Sequence, residues 1–523
     1  MPAHSRAFLI YLLLTAVVSG ALVMVIEVLG SRVVGPFFGV SLFVWTSLIT
    51  VTLLALAAGY VIGGLLSDHF KHATMLFGII LLAGLLTLLV PLLKGPVLKA
   101  CMPLGLRGGT FVSTLVLFGP MLLLLGCVSP YLVKLAAREL HNLGRVVGGL
   151  YALSTLGSTV GTVLTGFVLI AYLSVDQIFA VTGGLLMLLA IGFFVFFQRR
   201  WWALAFVLLP VLLYQPQQAI SRTMADGTQV DLVHRVENYY GDIKVVDYSF
   251  GNIHHREMLI DGMIQGGVDM VDYQSVYEYN YFMQFTSYML VPEGKRCLVI
   301  GLGLGVIPNW YEQQGIQCDV VDINPAVADI AKAYFNFHIS GDLFIEDARY
   351  YLNSTDRRYD YMVLDVFSGD ITPAHLLSVE ALSLMRERLN PGGVLAVNII
   401  GSVRQETYMT ASVIKTLQAA FDQVEVYPTF DPATSSTGIG NLAIMAYQGK
   451  ARALRVDHAR FQTHPSVRQR VFGNLGRRFY FPAGTPAIVL TDDYNPIDFF
   501  DGWLRETVRK SIIQATDWDI LIS

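Results

Sequence analysis

Up to about Tyr214 the chain is a succession of long apolar runs with short polar breaks; from Gln215 onward apolar residues fall into short segments between charged and turn-forming stretches. That change of rhythm implies two solvents, lipid first and water afterwards. A hydrocarbon core of ~30 Å is crossed by about 20 apolar helical residues. Six runs meet that length, at roughly 8–30, 41–66, 74–93, 110–133, 147–173 and 177–198. A seventh, Trp201 to Tyr214 (WWALAFVLLPVLLY), is short, opens on two tryptophans and contains Pro210, as expected of an interfacial segment or of one that completes a span with its neighbours. The fifth run, GGLYALSTLGSTVGTVLTG, repeats small residues at i, i+4 spacing and predicts close helix packing.

Beyond 215, QVDLVHRVEN, DIKVVDYSF and HREMLIDGMIQ read as strands, with turns at Tyr240-Gly241-Asp242 and Gly251-Asn252, and predict a small antiparallel sheet. The tyrosine-rich VDYQSVYEYNYFMQFTSYML reads as helix. Strands and helices then alternate, which predicts a parallel sheet covered on both faces. The expected fold class is a polytopic α-helical membrane domain (1–214), a small β-domain with its connecting helix (215–290) and an α/β Rossmann-like domain (291–523).

Composition sharpens this picture: 54% hydrophobic against 15% charged residues is too apolar for a soluble chain, and makes the lipid bilayer an expected partner. The net charge of -4, from near-balanced acids and bases, supplies no basic field and sets nucleic acid aside as a partner. Four cysteines without CxxC spacing, in or beside apolar segments, predict neither disulfide nor metal site. The first run lacks a small-residue cleavage site and is followed by further spans, so it is read as retained. With six spans and the N-terminus inside, Arg6, Lys71, Lys134, Arg138, Arg145, Arg199 and Arg200 lie inside and Arg32, Lys94, Lys99 and Arg107 outside, which predicts a cytoplasmic C-terminal region. Glu27, in EVLGSR near the end of the first span, is costly there unless paired with Arg32 or a helix end, or solvated in a polar pocket.

The chemistry lies in the α/β region. The strand CLVIG runs into GLGLG (Gly301, Gly303, Gly305) and then a helix from Val306, the context in which a glycine turn can bind a nucleotide-like ligand. The next strand, CDVVDI, carries Asp322, placed for the two hydroxyls of a ribose. LFIED ends in Asp347 and Ala348, and YDYMVLD ends in Asp365. A helix cap or a turn explains any one of these acids; three successive strand ends in register form a rim. Acids suit a cationic nucleoside without phosphate, such as an adenosyl sulfonium, better than a dinucleotide, whose pyrophosphate needs a helix N-terminus.

MLIDGMIQ, the tyrosine-rich helix, VIGLGLG, VVDINP, IEDAR, VLDVFSGD and LTDDYNPIDFF together resemble the spermidine/spermine synthase family of aminopropyltransferases from about Glu237 to Asp498, and the whole chain resembles bacterial membrane-fused members of that group. The resemblance implies a seven-stranded class I methyltransferase-type domain after a small β-domain, a bacterial inner-membrane location, and homo-oligomers, since soluble relatives are commonly dimers or tetramers. It implies that S-adenosylmethionine or its decarboxylated form is the substrate, without a metal. Asp365 would be the catalytic base, Asp322 would hold the ribose, Asp347 with Ala348 the adenine, and Gln265 with a tyrosine such as Tyr277, a second catalytic candidate, would line the pocket. Two strings depart from the family: Asp365 is followed by Val366-Phe367-Ser368-Gly369-Asp370 where soluble members resemble D-S-S-D-P, leaving Asp370 as the second acid, and Tyr240-Gly241 stands where they have Tyr-Gln. The resulting order of expectation is aminopropyl transfer to a polyamine, then lyase cleavage of S-adenosylmethionine to methylthioadenosine and homoserine lactone, then methyl transfer or ligand sensing by a membrane protein.

Overall fold

The computed structural model describes residues 6–39, 42–137, 143–213, 220–367, 373–454, 456, 460–500 and 502–522, and the chain divides into two compact units. Five apolar helical stretches of the first unit are long enough to cross a membrane: Arg6–Phe38, Leu42–His69, Ala73–Ala136, Gly144–Tyr172 and Val175–Phe197. The third, at 64 residues, is two helices, because a single 3-10 turn at Met102–Leu104 and a left-handed Gly105 separate α3 (Ala73–Cys101) from α4 (Gly105–Ala137). With α1 (Arg6–Phe38), α2 (Leu42–His69), α5 (Leu143–Leu164), its short continuation α6 (Ile170–Tyr172) and α7 (Val175–Gly192), the long helices fall on the six apolar runs. Trp201–Leu213 is a 3-10 segment followed by α8 (Leu209–Leu213), shorter than a span needs. Within these apolar stretches Thr15, Ser47, Thr87 and Thr165 donate to carbonyls one turn back, which satisfies hydroxyls that apolar surroundings cannot.

Small residues bring α1 and α5 together. Ser158 Oγ donates to Gly20 O at 3.0 Å, and a methyl group on Gly157 would lie 2.1 Å from the Val17 carbonyl oxygen. Backbone cannot yield as a side-chain tip can. Gly157→Leu is therefore expected to part α1 from α5 at a cost of about 1–3 kcal/mol; an apparent melting temperature in detergent equal to that of the wild type would contradict this packing.

The second unit opens with a five-stranded antiparallel sheet in sequential order: β1 (Ser221–Thr223), β2 (Gln229–Asn238), β3 (Gly241–Phe250), β4 (Ile253–Ile260) and β5 (Met263–Asp269). HREMLIDGMIQ, read above as one strand, is thus a hairpin. Asp261 (φ +48) and Gly262 (φ +74) both adopt the left-handed conformation of a two-residue turn, and Asp-Gly is a favoured dipeptide for it. The tyrosine-rich segment is also corrected: residues before Glu278 form a turn held by Ser275, and the helix α9 is Glu278–Leu290. Its Phe282 and Phe285 join Val245 and Met258 of the first sheet to Val299 and Val320 of the second in one core.

The second sheet has seven strands in the order β8-β7-β6-β9-β10-β12-β11: β6 (Arg296–Ile300), β7 (Gln317–Asp322), β8 (Leu343–Ile345), β9 (Tyr359–Leu364), β10 (Leu389–Ser402), β11 (Gln423–Pro428) and β12 (Ile439–Tyr447). β6 to β10 run parallel, through crossovers that contain α10 (Val306–Gln313), α11 (Pro325–Tyr334), α12 (Ala348–Ser354) and α13 (Val379–Glu387). β12 is antiparallel to both neighbours, because the link from β11 is too short for a crossover; α14 (Tyr408–Ala420) precedes that pair. The order reverses between β6 and β9. Ligands of such sheets bind at that switch point, outside the carboxyl ends of the strands.

Candidate active site

The glycine turn and the acid after β9 meet at this switch point. Asp365 N–H donates to Ile300 O at 2.9 Å, and Gly301, with φ +92, passes so close that a methyl group on it would lie 2.2 Å from the Asp365 carbonyl oxygen. Gly303 forms the middle of the turn, and Gly305 caps α10. Asp322, at the end of β7, accepts from Leu302 N–H (2.9 Å) and Asn324 N–H (2.8 Å), one bond to each oxygen. Burial raises its pKa, against those two bonds. Each carboxylate oxygen retains a lone pair for a further donor.

Asp347 is the N-cap of α12, and its Oδ1 accepts from Arg349 and Tyr350 N–H at 2.9 and 3.0 Å. Its Oδ2 lies 3.3 Å from His375 Nε2, and Ala348 opens the helix behind it. The late TDDYN string reaches this edge: Arg349 Nη1 donates to Asp492 Oδ1 (2.7 Å) and to the His375 carbonyl (3.1 Å), and Asn495 Nδ2 donates to the Ala374 carbonyl (2.8 Å).

Asp365 is the most perturbed acid of the rim. Desolvation pushes its pKa up to about 6, although Asn398 Nδ2 donates to Oδ1 at 2.8 Å and opposes the shift. Asn398 is buried in β10, and its own oxygen accepts from Asn441 Nδ2 at 3.1 Å, which leaves its amino group facing the acid. Sequence reading passed over both asparagines. The signal was a polar residue inside the apolar strand VLAVNIIGS, a costly placement unless it serves a partner.

The tyrosine that feels the charge of Asp365 is Tyr279, whereas Tyr277 bonds elsewhere. Tyr277 precedes α9, and its hydroxyl donates to Glu257 Oε1 at 2.6 Å. Tyr279 sits at the Gln265 corner instead. Its hydroxyl donates to Gln265 O at 2.9 Å, and burial, then the charge of Asp365, hold its pKa well above the ordinary range. Gln265 therefore contributes its carbonyl to this corner, while its side-chain amide donates to Met263 O. Asp370 lies outside the described residues. What comes together is a glycine turn, two half-buried acids at its flanks, a third more exposed acid at the start of α12 and a neutral tyrosine: an α/β domain of the class I methyltransferase type with a rim of carboxylates at its strand ends.

Residues 263–450 match the family described as the spermine/spermidine synthase domain. Over 139 residues the chain is 34% identical to the N-terminal histidine N-methyltransferase of Emericella nidulans, covering 26% of this chain and 25% of that protein. Over 196 residues it is 26% identical to the polyamine aminopropyltransferase of Vibrio vulnificus, covering 35% and 64%. The chain thus spans only part of either relative. A probable spermidine synthase from Corynebacterium glutamicum is a similar solved structure, with 17% identity, TM-score 0.39, and 48% of this chain and 98% of that one covered. The spermidine synthase of Thermotoga maritima follows at 14% identity, TM-score 0.33, and coverages of 49% and 96%.

Proposed function

We propose that the chain is a membrane-bound enzyme that transfers the aminopropyl group of decarboxylated S-adenosylmethionine to an amine and releases methylthioadenosine. The observation that carries this reading is Asp365, a desolvated acid held by Asn398 at the switch point, within the segment that matches the spermine/spermidine synthase domain. In this reading the amine nitrogen attacks the propyl carbon bound to sulfur. The C–S bond breaks with its electron pair remaining on the sulfur, and Asp365 takes the proton that the amine loses. Asp322 receives the ribose hydroxyls, Asp347 and Ala348 border the adenine, and Gln265 and Tyr279 border the propyl end. The rim attracts the cationic donor and acceptor, so much of the catalysis is positioning. The charge bias of the apolar half supports a domain on the cytoplasmic side of the membrane.

The testing experiment is mass spectrometry of products from detergent-purified protein given S-adenosylmethionine or its decarboxylated form, each with and without putrescine or spermidine. Methylthioadenosine that requires the decarboxylated donor and an amine is expected. S-adenosylhomocysteine would replace this reading with methyl transfer, a second reading favoured by the methyltransferase relative from Emericella nidulans. Methylthioadenosine from S-adenosylmethionine alone would replace it with a lyase.

A pH profile follows from the base. Asp365 accepts a proton only when ionised, so kcat is expected to rise about tenfold per pH unit up to about 6 and then level. A kcat that stays flat between pH 4.5 and 7 would remove Asp365 from the proton transfer.

A further inference from the structure

The Tyr277–Glu257 bond lies outside the machinery described above, yet it stands one step from it. Glu257 on β4 is 7% exposed, and its Oε1 accepts the Tyr277 hydroxyl at 2.6 Å. Its other close neighbour is His255, whose Nε2 lies 3.8 Å away and whose ring stacks on Tyr248 at 5.0 Å; burial holds that imidazole toward its neutral form. The pair is thus neither a salt bridge nor a solvent-facing contact.

Two consecutive residues of β5 receive the two tyrosines. Gly267 packs against the Glu257 and Tyr277 side chains: a methyl group there would lie 3.0 Å from Glu257 Cγ and 3.1 Å from the Tyr277 ring. Gly266 packs against the Tyr279 hydroxyl and against Leu304 of the glycine turn, at 3.4 and 3.1 Å by the same measure. Ser275 holds the backbone of the turn before α9: its Oγ accepts from Tyr277 N–H at 3.0 Å and donates to the Tyr277 carbonyl. Glu257 holds the side chain. Tyr279 follows two residues on, with its hydroxyl on Gln265 and within electrostatic reach of Asp365.

We infer that Glu257 is a positioning residue for the reaction: by fixing Tyr277 it sets the first turn of α9, and with it the place of Tyr279 between Gln265 and Asp365. The inference rests on the reading of Asp365 as the base of aminopropyl transfer. A carboxyl group accepts the tyrosine hydroxyl in either protonation state, so what Glu257 supplies is an acceptor rather than a charge. Glutamine supplies the same acceptor; leucine does not.

The test measures kcat, KM for decarboxylated S-adenosylmethionine and methylthioadenosine binding on the full chain in detergent, for wild type, Glu257→Leu, Tyr277→Phe, the double variant, Glu257→Gln and Tyr279→Phe. Expected is a loss of about tenfold in kcat for Glu257→Leu and for Tyr277→Phe, the scale of one buried hydrogen bond. The double variant should lose no more than either single one, because both cut the same link. Methylthioadenosine binding and donor KM should stay within about twofold, and Glu257→Gln should recover most of the loss. Tyr279→Phe should lower kcat at least as far. Additive single losses, a Glu257→Gln variant as impaired as Glu257→Leu, a fall in donor affinity instead of kcat, or an unchanged kcat in Glu257→Leu or Tyr279→Phe would each overturn the positioning role alone. A wild type that releases no methylthioadenosine with any donor and amine would overturn the functional reading and this inference together.

Discussion

Asp365→Asn is expected to lower turnover by on the order of a thousandfold while methylthioadenosine still binds. The substitution leaves the local structure in place: an asparagine oxygen can accept from Asn398 Nδ2 as the carboxylate does, and the backbone N–H to Ile300 O is untouched. What disappears is the proton acceptor. A second effect has the opposite sign. The acid sits at about 6 in the folded chain and near 4 when unfolded, so between those values the folded state binds more protons than the unfolded one. Stability linked to this group is therefore full below about pH 4 and lost as pH rises through about 6. The neutral amide of Asp365→Asn does not carry that cost, so the variant is expected to melt above the wild type at pH 7.5, by on the order of 2 kcal/mol, with the gap closing toward pH 4. Thermal unfolding in detergent at both pH values, beside the turnover assay, checks both effects. A variant that melts lower at pH 7.5 would mean that Asp365 is a structural acid rather than a desolvated base.

How much of this was legible in the sequence depended on how local the deciding physics is. Helices long and apolar enough to cross a membrane declare themselves through length and apolarity alone, the two properties a bilayer would set. The strand ends were legible because buried parallel strands read as compact apolar runs that stop at an acid, and Asp322 and Asp365 lie at those stops. The hairpin at Asp261-Gly262 was misread because apolar residues continue through it on both sides, and the turn dipeptide was given less weight than the run. Tyr277 and Tyr279 could not be told apart by spacing. Which one comes within electrostatic reach of Asp365 depends on where α9 begins, and Ser275 and Glu257 hold that start, the second of these on a strand that pairs only in the folded sheet. The Asn441–Asn398–Asp365 chain likewise joins three strands, β12, β10 and the end of β9, and no local window contains it.

Gly301→Ala is expected to be the most damaging small substitution in the cleft. Two independent obstacles meet at that position. Its φ of +92 lies where L-residues are strained, and the added methyl group would lie 2.2 Å from the carbonyl oxygen of Asp365 and 2.9 Å from Val366 Cγ2. The first of those atoms is backbone at the carboxyl end of β9, so relief requires the glycine turn and the base to move apart. That separation strikes binding and chemistry together, and a destabilisation of about 3 kcal/mol is expected with at least a hundredfold loss of methylthioadenosine affinity. Gly303→Ala is the internal control. Gly303 also has a positive φ, +52, but a methyl group there meets nothing within 4 Å, so only the conformational cost of about 1 kcal/mol applies. Calorimetric titration with methylthioadenosine and melting in detergent separate the two variants. Equal effects would mean that left-handed strain alone governs the turn; the contact between Gly301 and Asp365 predicts instead that only Gly301→Ala disables the site.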